Sequence, residues 1–369
     1  MRRFLRNTLK VIIVILLIAV VIWCYLLRQF GERSDGQAYN VLSYYSNQKF
    51  VSPPALTSTI PKVYASHTEI TGEVNAGWAR FFGKSPNAPE SSLPKVKLTK
   101  SDFPEKPDML SVYWLGHSSA IVELNGVRMV IDPVFGNAGP FPGITVRYDE
   151  APMKRGDMPD VDFVVLTHNH YDHLEYATMR YFRKKNVQFI VPLGVDVILK
   201  GWGIPEEKIC TLRWNESFSG KGIEITALPT VHYSSRSWND RDATLWVSYV
   251  LSGGGKKLYW SGDSGYGSHF AEAGVKYGPF DLACIEIDGW NPRWAEIHLF
   301  PEEVIQACLD VNAKIILPTH WAVFDLAMHP WNESIQKVVD LAQKENILVA
   351  TPLMGEKYTP GVTDTRHWW

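Results

Sequence analysis

The chain has 369 residues, 46% of them hydrophobic and 21% charged, so it can bury a large core and belongs with globular proteins, not disordered or fibrous ones. Its formal net charge is −2, and removing the four basic residues of the first ten leaves 33 Lys and Arg against 39 Asp and Glu, or −6 for everything after Lys10. A body of that sign has no general affinity for nucleic-acid backbones, so no nucleic-acid partner is expected.

Residues 1–10 carry Arg2, Arg3, Arg6 and Lys10 and no acid, and form a basic cytoplasmic segment in this reading. Val11 to Leu27 follows as 17 residues without a charge, long enough to be a transmembrane helix. At about 1.5 Å per residue it spans roughly 25 Å, a little short of the roughly 30 Å hydrocarbon core. Lys10 and Arg28 can snorkel to close the difference. The positive-inside rule keeps the N-terminus cytoplasmic and sends the rest across, giving a single-pass membrane protein with the body of the chain extracytoplasmic. A cleaved signal peptide is the competing reading, disfavoured by the long apolar run and by the lack of an A-x-A-like site after it. A lipoprotein reading at Cys24 is disfavoured by bulky Trp23 before it.

The 342 residues after Leu27 contain only Cys210, Cys284 and Cys308, which make no disulfide framework. Residues 28–109 are rich in Pro, Ser and Asn, with Ser52-Pro53-Pro54 and Lys84-Ser85-Pro86-Asn87-Ala88-Pro89 as punctuation, and read as an extended lead-in. The main folded domain is expected over 110–369. Leu110 to Gly116, Ala120 to Leu124 and Val127 to Ile131 predict three short strands, the second pair joined by an Asn125-Gly126 hairpin turn. Pro301 to Leu309 and Asn332 to Glu345 predict helices, the first opened by Pro and two acids, the second capped by Asn332.

The densest signal is Thr167-His168-Asn169-His170-Tyr171-Asp172-His173, which follows the strand-like Val161-Asp162-Phe163-Val164-Val165-Leu166. In an irregular loop, His168 and His170 can turn to one ion, while Asp172 and His173 pass round to a second. Three further apolar runs end in ligand-type residues. Ile223 to Pro229, alternating like a half-buried strand, leads to His232, a third nitrogen for the first ion. Lys257 to Trp260 leads to Asp263 between two glycines, placed to bridge both ions. Ala313 to Pro318 leads to His320, the last nitrogen for the second ion. Each of the three is weak alone, since a lone His after a strand is more often a hydrogen-bonded wall residue, but the ordered set is strong.

With these residues in view, the chain resembles the metallo-β-lactamase superfamily, in the branch of N-acylphosphatidylethanolamine-hydrolysing phospholipase D and its bacterial relatives. Trp114-Leu115-Gly116-His117-Ser118-Ser119, Val130 to Phe135, Thr167 to Leu174, Ser261 to Tyr266, Asn291-Pro292-Arg293-Trp294 and Thr319-His320-Trp321 are similar to its signature blocks, in order, from roughly 110 to 330. The resemblance implies an α/β fold, the four-layer αββα sandwich with metals at one edge between two sheets. It implies a first metal on His168, His170 and His232, a second on Asp172, His173 and His320, Asp263 bridging, and a further active-site histidine at His298. Ala322-Val323 departs from the Gly-Thr that relatives often carry, as does the membrane segment from the animal enzyme.

The expected cofactors are two divalent ions, zinc first, with iron or manganese acceptable to the same donors. Sharing Asp263, they would share a water whose pKa falls until hydroxide, the nucleophile, is present near neutral pH. Asp172 is placed to steer that water or take its proton, His117 and His298 to bind phosphate or support the ligands, and Asp132 to hold ligand loops. The expected function is a membrane-anchored phosphodiesterase of phospholipase D type acting on a glycerophospholipid. The alternative is a metal-dependent lactonase or ester hydrolase of a smaller substrate, similar to ascorbate-6-phosphate lactonase relatives; an apolar groove beside the metals would favour the lipid and a closed polar pocket the lactone.

Overall fold

The structure, a computed structural model, describes residues 2–56, 85–105, 109–141 and 143–369. Parts of the expected lead-in, residues 57–84 and 106–108, therefore lie outside the described residues, Lys84 of the second proline-rich stretch among them. Residues 28–30 continue the N-terminal helix, and the remaining described part of the lead-in is draped over the main body. A small hairpin of β1 (Tyr45–Ser46) and β2 (Lys49–Phe50) is pinned by the Phe50 amide donating to Asp242 O, and Tyr39, Tyr45 and Phe50 are buried in the main core.

Two seven-stranded sheets make the body. One contains β3 (Ser111–Gly116), β4 (Ser119–Leu124), β5 (Val127–Ile131), β6 (Phe163–Val165), β7 (Gln188–Pro192) and β8 (Ile209–Leu212). The other contains β9 (Ser217–Gly220), β10 (Ile223–Leu228), β11 (Ser248–Gly253), β12 (Lys256–Trp260), β13 (Leu282–Glu286), β14 (Ile315–Thr319) and β15 (Leu348–Val349), while β16 (Lys357–Tyr358) returns to the first sheet beside β3. Alternation of side chains explains the layering. In the first sheet Trp114, Val122, Met129, Phe163 and Val165 face the second sheet, while Tyr113, Ile121, Val130 and Val164 face outward into a separate cluster with helix residues. That outer layer is α2 (Tyr176–Phe182) and α3 (Val195–Gly201); α1 is the N-terminal helix Arg2–Phe30. On the other side α4 (His269–Tyr277), α5 (Pro301–Asp310) and α6 (Glu333–Lys344) cover the second sheet, α5 against β13 and α6 against β15. The result is the αββα sandwich.

Strand direction decides where the chemistry sits. β3 is antiparallel to β4 and β4 to β5, and β5 is parallel to β6, so β3, β5 and β6 all run one way. In the second sheet β10 and β12 flank the antiparallel β11, and β13 and β14 continue parallel to β12. Loops leaving the C-terminal ends of these strands thus share one edge in each sheet. The Tyr249 hydroxyl donates across the sandwich to Leu166 O at 2.8 Å, fixing the two edges beside each other.

Local signals hold where backbone geometry is demanding. Asn125 and Gly126 have φ of 50° and 79°, the paired positive values of the tight hairpin turn joining β4 to β5. Glu303 Oε2 accepts from the Phe300 amide at the start of α5. Two expectations change. Asn332 stands at the N-cap of α6 without a side-chain capping bond, and β10 is buried on both faces except at Glu224, because a strand inside a sandwich has helices on one side and a sheet on the other. Among the described residues, α1 contains the one helical stretch long and apolar enough to cross a membrane, Arg6–Phe30.

Candidate metal centre

The loop after β6 is built by Asp132, at the end of β5. Its Oδ1 accepts from the Thr167 amide at 2.8 Å, its Oδ2 from the Thr167 hydroxyl at 2.6 Å, and Oδ2 lies 2.8 Å from His173 Nδ1. One buried carboxylate thereby fixes the start of the loop and aims His173 Nε2 inward, the indirect role predicted for Asp132. His117 and His320 are locked to each other: the His320 amide donates to His117 O at 3.0 Å, and the His117 amide to Trp321 O at 3.3 Å. His117, Asp132 and His320 all have positive φ, at 52°, 42° and 68°, a strain that the surrounding packing holds in place.

Two groups converge. His168, His170, His232 and Asp263 form one, and His117, Asp172, His173 and His320 the other, each with one donor atom per residue and all donor atoms within 4.8 Å of one another. Asp263 joins them: its Oδ2 is 3.2 Å from His173 Nε2, 3.1 Å from His320 Nε2, 3.8 Å from His168 Nε2 and 3.7 Å from His232 Nε2. All seven residues predicted as ligands are therefore brought together, and His117, predicted beside the ligands, has Nε2 2.9 Å from Asp172 Oδ2. His298 forms a third overlapping group with Asp263 and His320.

The donor set fits divalent cations. Nε2 of His168, His170, His173 and His320 and Oδ1 of Asp263 are buried without a hydrogen-bond partner among the described residues, a costly arrangement in any fold unless something else is bound there. Burial depresses His168 and His232 well below the ordinary histidine range, His170 to about 4 and His117 to about 3, keeping these imidazoles neutral. Burial opposes the charge on Asp172 and Asp263 too, yet His173 and other imidazoles beside them hold both well below the usual carboxylate range. At His173 and His320 burial is outweighed by Asp263 and Asp172, and both are pushed well above the ordinary value. The cluster's carboxylates thus draw positive charge into a buried site, where cations can replace the protons.

Two supports escaped the sequence reading. Glu286, at the end of β13, is fully buried; its Oε1 accepts from the Leu299 amide at 3.0 Å and lies 3.1 Å from His298 Nδ1. The signal was present, an acid ending the apolar run Leu282-Ala283-Cys284-Ile285. Arg236 was invisible, since nothing local marks it. Its Nη1 donates to Asn169 O at 3.0 Å and Leu174 O at 2.8 Å, clamping both sides of the ligand loop, and its guanidinium lies 4.0 Å from the centre of the Tyr171 ring.

The centre opens into a cleft of ≈ 530 Å³. Its walls are apolar at Tyr171, Tyr233, Trp294, Ile297 and Leu326, with His170, Asp172, Asp263, His298 and His320 at the base. Arg241 is its one Lys or Arg among the described residues and lies 4.3 Å over the Tyr233 ring.

A two-sheet sandwich with such a histidine and carboxylate set at its loop edge defines a metal-dependent hydrolase. A family model described as a beta-lactamase superfamily domain matches residues 127–321, more than half of the chain, and the chain belongs to that superfamily, in its metal-dependent form. It is 37% identical over 272 residues to an uncharacterized protein of Mycobacterium tuberculosis, covering 70% of this chain and 72% of the relative. It is 34% identical over 251 residues to N-acyl-phosphatidylethanolamine-hydrolyzing phospholipase D 1 of Caenorhabditis elegans, covering 64% and 70%. The fold matches the metallo hydrolase Igni18 of Ignicoccus hospitalis with a TM-score of 0.52 at 22% identity, over 68% of this chain and 97% of that one.

Proposed function

We propose that the protein is a membrane-anchored, dinuclear phosphodiesterase that hydrolyses a glycerophospholipid on the head-group side of phosphorus, releasing phosphatidic acid and an N-acylethanolamine or similar alcohol. The observation that supports this reading is Asp263 Oδ2 within 3.1–3.8 Å of imidazole nitrogens from both ligand groups, where a carboxylate could serve both. His168, His170 and His232 would hold one ion and Asp172, His173 and His320 the other, zinc being the first choice and iron or manganese acceptable to the same donors. Two divalent ions there supply a water of lowered pKa and positive charge against a phosphate.

The chain's own groups do the rest. Asp172, at the base of the cleft and held by His117, is placed to orient the attacking water and accept its proton. His298, aimed by Glu286, faces the cleft with the nitrogen that Glu286 leaves free, and can hold a phosphate oxygen or protonate the departing alkoxide. The aromatic and aliphatic walls exclude water and suit acyl chains better than a small sugar. The similarity to the nematode phospholipase D supports the same substrate class, and α1 supplies a means of staying at the bilayer, with Arg2, Arg3, Arg6 and Lys10 on the cytoplasmic side and the hydrolase domain across it.

The deciding experiment presents N-acylated and plain phosphatidylethanolamines to the full chain and resolves the products by mass. Phosphatidic acid and N-acylethanolamine are expected; turnover of phosphorylated lactones or small esters with none on lipids would overturn the lipid reading in favour of a lactonase or esterase.

A further inference from the structure

The segment after His232 reaches in two directions at once. Tyr233, Ser235 and Arg241 line the cleft. Between them the chain turns outward, closed by Asp240 Oδ1, which accepts from the Arg236 amide at 2.9 Å and the Ser237 amide at 2.8 Å. At the tip stands Trp238, 65% exposed and the one exposed aromatic outside α1 among the described residues.

That tip rests on the apolar helix. Trp238 stacks on Trp23 at 5.2 Å and meets Phe30 edge-on at 5.1 Å. Polar bonds secure the joint: Arg236 Nε donates to Gln29 O at 2.6 Å, Trp202 Nε1 to Arg28 O at 2.8 Å, and Arg33 Nη1 to Asn239 O at 2.6 Å. Depth follows from helix geometry. Trp23 precedes Leu27, the last residue of the uncharged run, by four positions, which is about 6 Å at about 1.5 Å per residue. A side chain stacked on Trp23 therefore lies at the level where α1 is already inside an apolar layer. A solvent-facing loop would have no reason to present its single large aromatic there, whereas an indole with an apolar body and a polar N–H suits the bilayer interface.

We propose that Ser235–Arg241 is a membrane-docking loop: Trp238 lies in the interfacial layer of a phospholipid bilayer and holds the mouth of the cleft against the lipid head groups. The partner is the bilayer surface itself, and the inference rests on the membrane-anchored reading given above. Because Arg236 also clamps the ligand loop at Asn169 and Leu174, one side chain ties the docking loop to the metal centre.

The test uses the full chain in phospholipid vesicles, with Cys24→Ser and Cys210→Ser to silence the native thiols outside the core and Trp238→Cys carrying an environment-sensitive fluorophore. A nitroxide placed high on the lipid acyl chains should quench the label at 238 and leave a label at Val275, on α4, unquenched. No quenching at 238 in protein that withstands alkaline extraction overturns the docking loop and leaves the anchor standing; protein washed off by alkali overturns the anchor and the loop with it. In a second arm, Trp238→Glu should lower turnover of vesicle lipid on the order of tenfold, the effect of losing one interfacial aromatic anchor, with turnover of a monomeric short-chain phosphodiester unchanged. Equal loss on both substrates, or loss on neither, overturns the proposal.

Discussion

Asp263 concentrates the chemistry in one side chain because its oxygen faces imidazoles from both sheets. Asp263→Asn keeps the shape and removes the charge that would hold cations between them on the proposed reading. Turnover should fall by at least about two orders of magnitude and bound metal per chain should drop, read by elemental analysis beside the kinetics; full activity in this variant would remove the bridging role. Glu286 acts one step further out. Glu286→Gln should lower kcat by roughly 10–100-fold while metal content stays unchanged, because the carboxylate aims His298 and touches no predicted ligand set directly. A matching loss of metal would instead make Glu286 part of the cation site. Beside Asp263, Gly262 has φ of 58° and a Cβ there would lie 2.7 Å from Val247 O, so the glycine is required by both conformation and space.

At the scale of elements, strands were legible and clamps were not. Val127 to Ile131 and Lys257 to Trp260 could be read because apolar β-branched and aromatic residues cluster between turn residues, and the hairpin at Asn125-Gly126 because positive φ narrows the choice of residue. Asp132 could be guessed from its place after a strand. Arg236 could not, since its partners at Gln29, Asn169 and Leu174 are far away in sequence and contribute only backbone oxygens. Arg236→Lys loses the planar fork that bonds two of these carbonyls at once. It should destabilise the protein by about 1–3 kcal/mol, the cost of buried acceptors left unpaired, and weaken metal retention, measured as a lower thermal midpoint and faster loss of metal to a chelator. An unchanged chelation rate would show that the ligand loop holds itself.

For the whole molecule, a metal bound only by the folded chain adds to its stability, so chelation should lower the thermal midpoint by several degrees and readdition restore it. A second whole-molecule effect lies away from the centre. His329 is buried, which by itself lowers its pKa, but Asp288 at 3.0 Å outweighs this and raises it; Asp288, pushed up by burial, is held below its ordinary value mainly by His329. A raised histidine contributes stability fully below its unfolded value of about 6.5 and loses it as pH climbs through the folded value; the depressed carboxylate contributes above its unfolded value of about 3.9 and loses it as pH falls further. The pair therefore supports the fold most between those two limits. The stability difference between the native chain and His329→Gln should shrink as pH rises above about 6.5, and a difference that stays constant through neutral pH would count against the pairing.

The sequence by itself determined the candidate ligand types, their order and their attachment to strand ends, because metal affinity depends on side-chain chemistry and strands announce themselves through local composition. It also carried the uncharged run of α1. Tertiary structure alone decided that two sheets bring their C-terminal edges together, that His117 reaches Asp172, that Glu286 stands behind His298, and that Arg236 ties the ligand loop to the end of α1. Those relations join groups remote in sequence through backbone oxygens and buried space, which no local pattern of residues encodes.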